Sequence, residues 1–156
     1  LDNELKKMGR SDRIINASIS GETSAGGKRR LNSLLMKYKP SIVVIELGGN
    51  DGLRGYPIEL LTKNLISMTE ECLSIGAQVL LLPMEIPPNY GLLYTGKFRQ
   101  AYVDVAQNTE VVIGPFILKD IALDNSLMQA DGIHPTASAQ PIIKKAVLDS
   151  LLPLLR

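Results

Sequence analysis

The sequence contains no tryptophan, one histidine, one cysteine and two phenylalanines in 156 residues. Each scarcity excludes something. Without tryptophan and with few other aromatics there is little flat surface on which a sugar ring could stack. A single His and a single Cys are too few for a zinc site, and the Asp and Glu residues show no ligand spacing, so neither a metal nor any other cofactor is expected. Cys72 has no partner for an internal disulfide. It recurs with Ile58, Leu61, Leu65, Met68 and Ile75 at helical spacing, which makes it a core residue. Charge of one sign is also lacking: 17 basic residues against 16 acidic ones leave a net +1, and no basic block exceeds the Lys28, Arg29, Arg30 run. Nucleic acid and anionic membrane surfaces are therefore poor partners. Apolar runs such as VLLLPM are far shorter than a bilayer span, so no integral membrane segment is expected, and the first ten residues, LDNELKKMGR, have neither the apolar stretch nor the cleavage site of a signal peptide.

What is present is an apolar fraction of 45% with 21% charged residues. This is the profile of one globular domain, spanning residues 1–156, able to bury a substantial core. Period alternates along the chain. Leu1, Leu5 and Met8 share a helical face that Gly9 ends, and a short strand is expected in RIINASI at 13–19. Leu31, Leu34, Leu35 and Tyr38 recur at helical steps before Pro40. The runs SIVVIEL, AQVLLLP and TEVVIGP are rich in β-branched and aliphatic residues, as parallel strands buried on both faces are. Helices are expected over about 57–75 and 96–107, and a last one carries Ala139, Ile142, Ile143, Ala146, Val147 and Leu151 on one face. The class is α/β. The opening helix starts in its apolar register at residue 1 with no N-cap before it, whereas later helices follow strands; a leading strand is expected to be absent from the chain.

In open parallel sheets, sites gather in loops at the carboxyl ends of strands. Gly21, in SISGETSAGG, is either a turn glycine or a backbone N–H offered to developing negative charge. In ELGGNDGLRGYP, Gly48 and Gly49 leave Asn50 uncovered. Its amide is a neutral donor suited to an oxyanion, while the simpler reading has Asn50 or Asp51 capping a helix. Gly52 and Gly55 bracket Leu53 and Arg54 in a loop able to move as substrate enters. The dozen residues of MEIPPNYGLLYTG are long for a loop. Met84, Ile86, Tyr90, Leu92, Leu93 and Tyr94 could line a groove for an acyl chain or fold upon themselves. Last comes DGIHP, where Asp131 could accept the Nδ1 proton of His134 and leave Nε2 to take one from a hydroxyl; a surface hydrogen bond is the alternative.

Taken in order, NASISGETSAGG, VIELGGNDGLRG, IPPNYG and DGIHP resemble the later sequence blocks of the SGNH-hydrolase (GDSL-type esterase) superfamily, over nearly the whole chain. The likeness is strongest to its bacterial periplasmic branch of thioesterases, lysophospholipases and arylesterases. The resemblance implies a three-layer α/β/α flavodoxin-like parallel sheet and hydrolysis of a small acyl ester or thioester through a serine acyl-enzyme. It implies His134 as base, Asp131 as its orienting partner, and Gly21 and Asn50 as oxyanion donors. Gly52, Leu53, Arg54, Gly55, Tyr56 and Pro57 match a mobile substrate loop, and Ile86, Pro87, Asn89 and Tyr90 the neighbouring wall. It also implies a periplasmic or secreted location. One departure stands out. The family's first block, a Gly-Asp-Ser-Leu-like turn after the first strand, has no counterpart here, so the nucleophilic serine is expected upstream of Leu1. Ser18, Ser20 and Ser24 belong to the block of Gly21 and are not promoted to its place. The rivals are a non-catalytic acyl- or lipid-binding domain and a carbohydrate O-acetyl esterase.

Overall fold

Among the described residues three short parallel strands form the sheet, in the order β1 (Ile42–Ile45), β2 (Gln78–Leu81), β3 (Val112–Ile113). The structure, a computed structural model, describes residues 1–155. Ile42 pairs with Gln78 and Ile45 with Leu81, while Leu80 and Leu81 pair with Val112 and Ile113. Among the described residues six α-helices flank this sheet: α1 (Asp2–Lys7), α2 (Ser24–Tyr38), α3 (Gly49–Leu53), α4 (Ile58–Ser74), α5 (Leu92–Thr109) and α6 (Gln140–Leu151).

Strand alternation sorts the core into two layers. Val79 and Leu81 point to one face, where they meet Leu31 and Leu35 of α2, Leu61, Leu65 and Met68 of α4, and Phe98, Tyr102 and Val105 of α5. Leu80 and Leu82 point to the other and meet Val147 and Leu151 of α6. The result is the α/β/α sandwich with a parallel sheet. Each fully buried Leu contributes about 1.5–3 kcal/mol of apolar transfer, and Leu65, Leu80 and Leu81 are all 0% exposed. Cys72, on the inner face of α4, is likewise 0% exposed, and burial pushes its thiol pKa up to about 11. It is a packing residue rather than a reactive one.

Some expectations need correction. Residues 13–19 form no strand; they run alongside the sheet without joining it. A strand is defined by its ladder. Between this segment and β1 lies a cleft of about 920 Å³, lined on one side by Ile15, Ala17 and Ile19 and on the other by Ile42, Val44 and Glu46. Nor are all three strands covered on both faces. β2 is, but Val44, Val112 and Ile113 are 40–43% exposed, because β3 is a sheet edge and β1 borders the cleft. The helix expected from 96 begins at Leu92, just after Gly91 with φ +87°, and so absorbs residues assigned to the preceding loop. Of the apolar face expected at the start of the chain, Leu5 in α1 is buried, but Met8, which follows the helix as its C-cap, is 51% exposed.

Candidate active site

Two groups of candidate residues lie at the carboxyl ends of the strands. The first sits where β1 runs into α3. Gly48 precedes the helix at φ 117°, and a Cβ there would collide with the Tyr102 hydroxyl, which donates to the Leu47 carbonyl at 2.8 Å. Only glycine satisfies both demands. The chain then turns into α3 with Asn50 in its first turn. One amide hydrogen of Asn50 goes to the Glu22 carbonyl at 3.1 Å. An amide has two such hydrogens, so this bond fixes the side chain and leaves a second donor. Gly21, at φ +74°, is adjacent in the same turn; among the described residues its N–H has no acceptor. Its carbonyl faces Arg54 Nη2 at 3.4 Å. The turn is held from behind by Arg30, which pairs with Glu22 at 2.9 Å and donates to the Ala17 carbonyl at 2.6 Å.

Asp51, beside Asn50, behaves differently. It is 3% exposed and accepts the Ser24 N–H at 2.8 Å and the Ser24 hydroxyl at 2.6 Å. It therefore satisfies a first-turn N–H of α2, whose N-cap is Thr23, and neither Asp51 nor Asn50 caps α3, contrary to the simpler sequence reading. Ser24 is 0% exposed with its hydroxyl committed, which removes it as a nucleophile. Neither sequence spacing nor motif marks this contact, because Ser24 and Asp51 are 27 positions apart.

The second group is the loop carrying Asp131 and His134. Met128 and Pro135 bridge its base; Gln129 N–H donates to the His134 carbonyl at 2.7 Å and Thr136 N–H to the Leu127 carbonyl at 2.8 Å. Gly132, at φ +67°, makes the turn at the tip. Asp131 Oδ1 accepts the N–H groups of Ile133 at 2.9 Å and His134 at 3.0 Å, and Oδ2 lies 2.7 Å from His134 Nδ1. These bonds, the His134 N–H first among them and then its ring, hold the Asp131 pKa down at about 2 although the side chain is exposed. An ionised Asp131 places the ring proton on Nδ1, so Nε2 is the basic atom. Both side chains are open to solvent, at 67% for His134 and 45% for Asp131. Among the described residues no hydrogen bond joins this loop to Asn50 or Gly21.

The remaining candidates form a wall. The Tyr90 hydroxyl donates to the Leu53 carbonyl at 2.8 Å, the Tyr94 hydroxyl to the Tyr56 carbonyl at 3.0 Å, and the two rings stack at 6.3 Å between centroids. Gly52 and Leu53 are the last residues of α3 rather than loop, and with Arg54, Gly55, Tyr56 and Pro57 they are laced to the 87–94 segment, so any opening here breaks those two bonds. Ile86 lies beneath, 7% exposed, filling the space that a Cβ on Gly52 would take. Pro87 and Asn89 continue the wall, partly buried and exposed respectively, whereas Leu92 and Leu93, at 86% and 76% exposed, project to solvent. Among the described residues no group of three His, Cys, Asp or Glu side chains could hold a metal.

Comparison with known proteins gives this geometry its context. The profile of the GDSL-like Lipase/Acylhydrolase family matches residues 1–140. The chain belongs to that family. Esterase TesA of Pseudomonas aeruginosa is 48% identical over 155 residues, covering 99% of this chain and 77% of the relative. Thioesterase 1/protease 1/lysophospholipase L1 of Escherichia coli K12 is 39% identical, over 90% of this chain and 68% of that protein. Among solved structures, the psychrotrophic esterase EstA from Pseudoalteromonas sp., inhibited by monoethylphosphonate, superposes with a TM-score of 0.95 at 39% identity, covering 99% of this chain and 84% of that one. As a GDSL-family member the chain is an acyl hydrolase of the esterase and thioesterase type, with a small-molecule ester or thioester as substrate. Among the described residues no helix is long and apolar enough to cross a membrane.

Proposed function

We propose that the chain supplies the base and the oxyanion donors of a serine acyl hydrolase acting on carboxylic esters and thioesters, lysophospholipids among them. The observation that carries this reading is the Asp131–His134 pair: a carboxylate held by two backbone N–H groups, 2.7 Å from Nδ1 of an imidazole whose other nitrogen faces solvent. In the reaction, a serine Oγ attacks the acyl carbonyl carbon while its proton passes to His134 Nε2. Negative charge collects on the former carbonyl oxygen, where the Gly21 N–H and the second Asn50 amide hydrogen would meet it. His134 then returns the proton to the departing alkoxide or thiolate, leaving an acyl-enzyme. Water, deprotonated by His134, attacks the acyl carbon; the fatty acid leaves and the serine is restored. Asp131 keeps the imidazole in the right tautomer and stabilises the imidazolium. The walls built from residues 52–57 and 86–90 would hold the acyl part, with Leu53, Tyr56 and Tyr90 as its apolar contacts.

The serine is assigned to an extended segment upstream of Leu1 that pairs with the free edge of β1 in the 920 Å³ cleft. Support comes from the shape of the cleft, which has an apolar helix on each side and the β1 backbone along its length. A strand running parallel to β1 there would end beside the loops of Gly21 and Asn50. On this reading the chain is one SGNH-type domain completed by that strand, and the protein works in the periplasm or outside the cell. A decisive check is turnover of an activated aryl ester and of an acyl thioester by the protein carrying the upstream segment. His134→Ala should abolish nearly all turnover of both; retention of half the activity would remove His134 from the mechanism.

A further inference from the structure

Ser24, Asp51 and Asn64 come from three different helices and meet out of solvent. They are 0%, 3% and 6% exposed. Asp51 Oδ1 accepts the Ser24 hydroxyl at 2.6 Å, Asp51 Oδ2 accepts the Ser24 N–H at 2.8 Å, and Asn64 Nδ2 donates to the Ser24 oxygen at 3.0 Å. Around one serine oxygen, α2, α3 and α4 are joined. A buried carboxylate persists only when its lone pairs are satisfied, and here the first-turn N–H of α2 and a hydroxyl satisfy them.

The position of this junction gives it a second consequence. Asp51 follows Asn50 directly, and Ser24 is three residues after Gly21 and two after Glu22, whose carbonyl holds the Asn50 amide at 3.1 Å. The junction therefore spans the same two segments that present the Gly21 N–H and the Asn50 side chain. It lies behind them, in the core, where solvent cannot compete for its bonds. Donors that stabilise a developing oxyanion are effective when their separation is set before reaction, and displacement of such a group by about 1 Å costs on the order of 10²-fold in rate.

Building on the oxyanion assignment above, we propose that Asp51 is a positioning residue: through Ser24 and Asn64 it fixes the spacing between the Gly21 N–H and the Asn50 amide. Asp51 does not touch substrate and acts through Asn50. Asp51→Asn keeps the size of the side chain but puts an amide hydrogen where one of the Ser24 donors now points. Ser24→Ala leaves the carboxylate and the Ser24 N–H bond while removing the hydroxyl that joins Asn64.

A double-mutant cycle in the protein carrying the upstream segment separates positioning from stability. Asp51→Asn should lower kcat by about 10–10²-fold with KM little changed, and Ser24→Ala should do the same to a smaller extent. In an Asn50→Ala background, the Asp51→Asn change should cost less than about threefold further, because the donor it positions is already gone. If Asp51→Asn is too unstable to assay, Ser24→Ala carries the same cycle. Equal losses with and without Asn50 would overturn the proposal and leave Asp51 a stabilising cap. A full kcat in Asn50→Ala itself would instead refute the oxyanion assignment on which the proposal rests.

Discussion

Asp51 and Asp131 are held by similar means in opposite surroundings. Each directs one oxygen at backbone N–H, one group for Asp51 and two for Asp131, and the other at a side chain: Ser24 Oγ at 2.6 Å for Asp51, His134 Nδ1 at 2.7 Å for Asp131. Asp51 is buried between helices and Asp131 stands on a solvent-exposed loop tip. The burial decides the role. A satisfied carboxylate in the core ties elements together, and its loss strands polar groups away from water. A satisfied carboxylate in solvent contributes little to holding the fold. What it does instead is order the His134 side chain, which stays 67% exposed. Local bonding alone does not set what a carboxylate can do; the surroundings of its partner do.

Several substitutions test that contrast, and the largest effect is expected on the exposed side. Asp131→Asn should lower kcat by roughly 10⁴-fold, because an amide in place of the carboxylate favours the wrong imidazole tautomer, while thermal stability changes little. Steady-state kinetics with a melting curve on the same preparation distinguishes the two. Asn50→Ala should reduce kcat by about 10²–10³-fold with KM preserved; an effect confined to KM would make Asn50 a pocket wall. On the buried side, Asp51→Ala should cost about 2–4 kcal/mol in denaturant unfolding, since the Ser24 N–H loses its acceptor and the Ser24–Asn64 pair loses its anchor.

The pH response separates the two regions further. Asp131 has its pKa lowered from 3.8 to about 2 in the folded loop. Its contribution to loop order is therefore complete above its ordinary value and is lost as pH falls through about 2. Carboxyl chemical shifts followed by NMR should show Asp131 still ionised at pH 3, and removing the ring by His134→Ala should raise its pKa only partway, because the backbone bonds remain. The smallest effect is expected at the wall. Tyr90→Phe deletes the exposed bond to the Leu53 carbonyl and should alter stability by less than about 1 kcal/mol, with faster amide exchange in residues 52–56.

The legible parts of the sequence were those where local pattern and tertiary packing ask for the same residues. α4 is the clearest: Leu61, Leu65, Met68 and Cys72 recur at helical spacing and all are buried. The positive φ of Gly48 and the Asp131–His134 contact are readable because each is contained within a few consecutive residues. Residues 13–19 read as a strand because alternating Ile15, Ala17 and Ile19 carry the period of a strand whether or not a neighbour supplies the ladder. The pattern places the start of α5 late because Pro87, Pro88 and Gly91 mark a loop up to it, and Leu92 and Leu93, 86% and 76% exposed, belong to no buried face that would show the helical period. The Ser24–Asp51–Asn64 junction left no trace in local pattern, since its members are separated by 27 and 40 positions from Ser24.

The central claim, that Asp131 and His134 activate a serine hydroxyl beside Gly21 and Asn50, is tested most directly by reaction with a fluorophosphonate. The protein carrying the upstream segment should be modified at one serine, located by peptide mass upstream of Leu1, and His134→Ala should slow that labelling by at least about 10³-fold. Labelling at an undiminished rate in His134→Ala, or ester turnover with no serine modified, would contradict it.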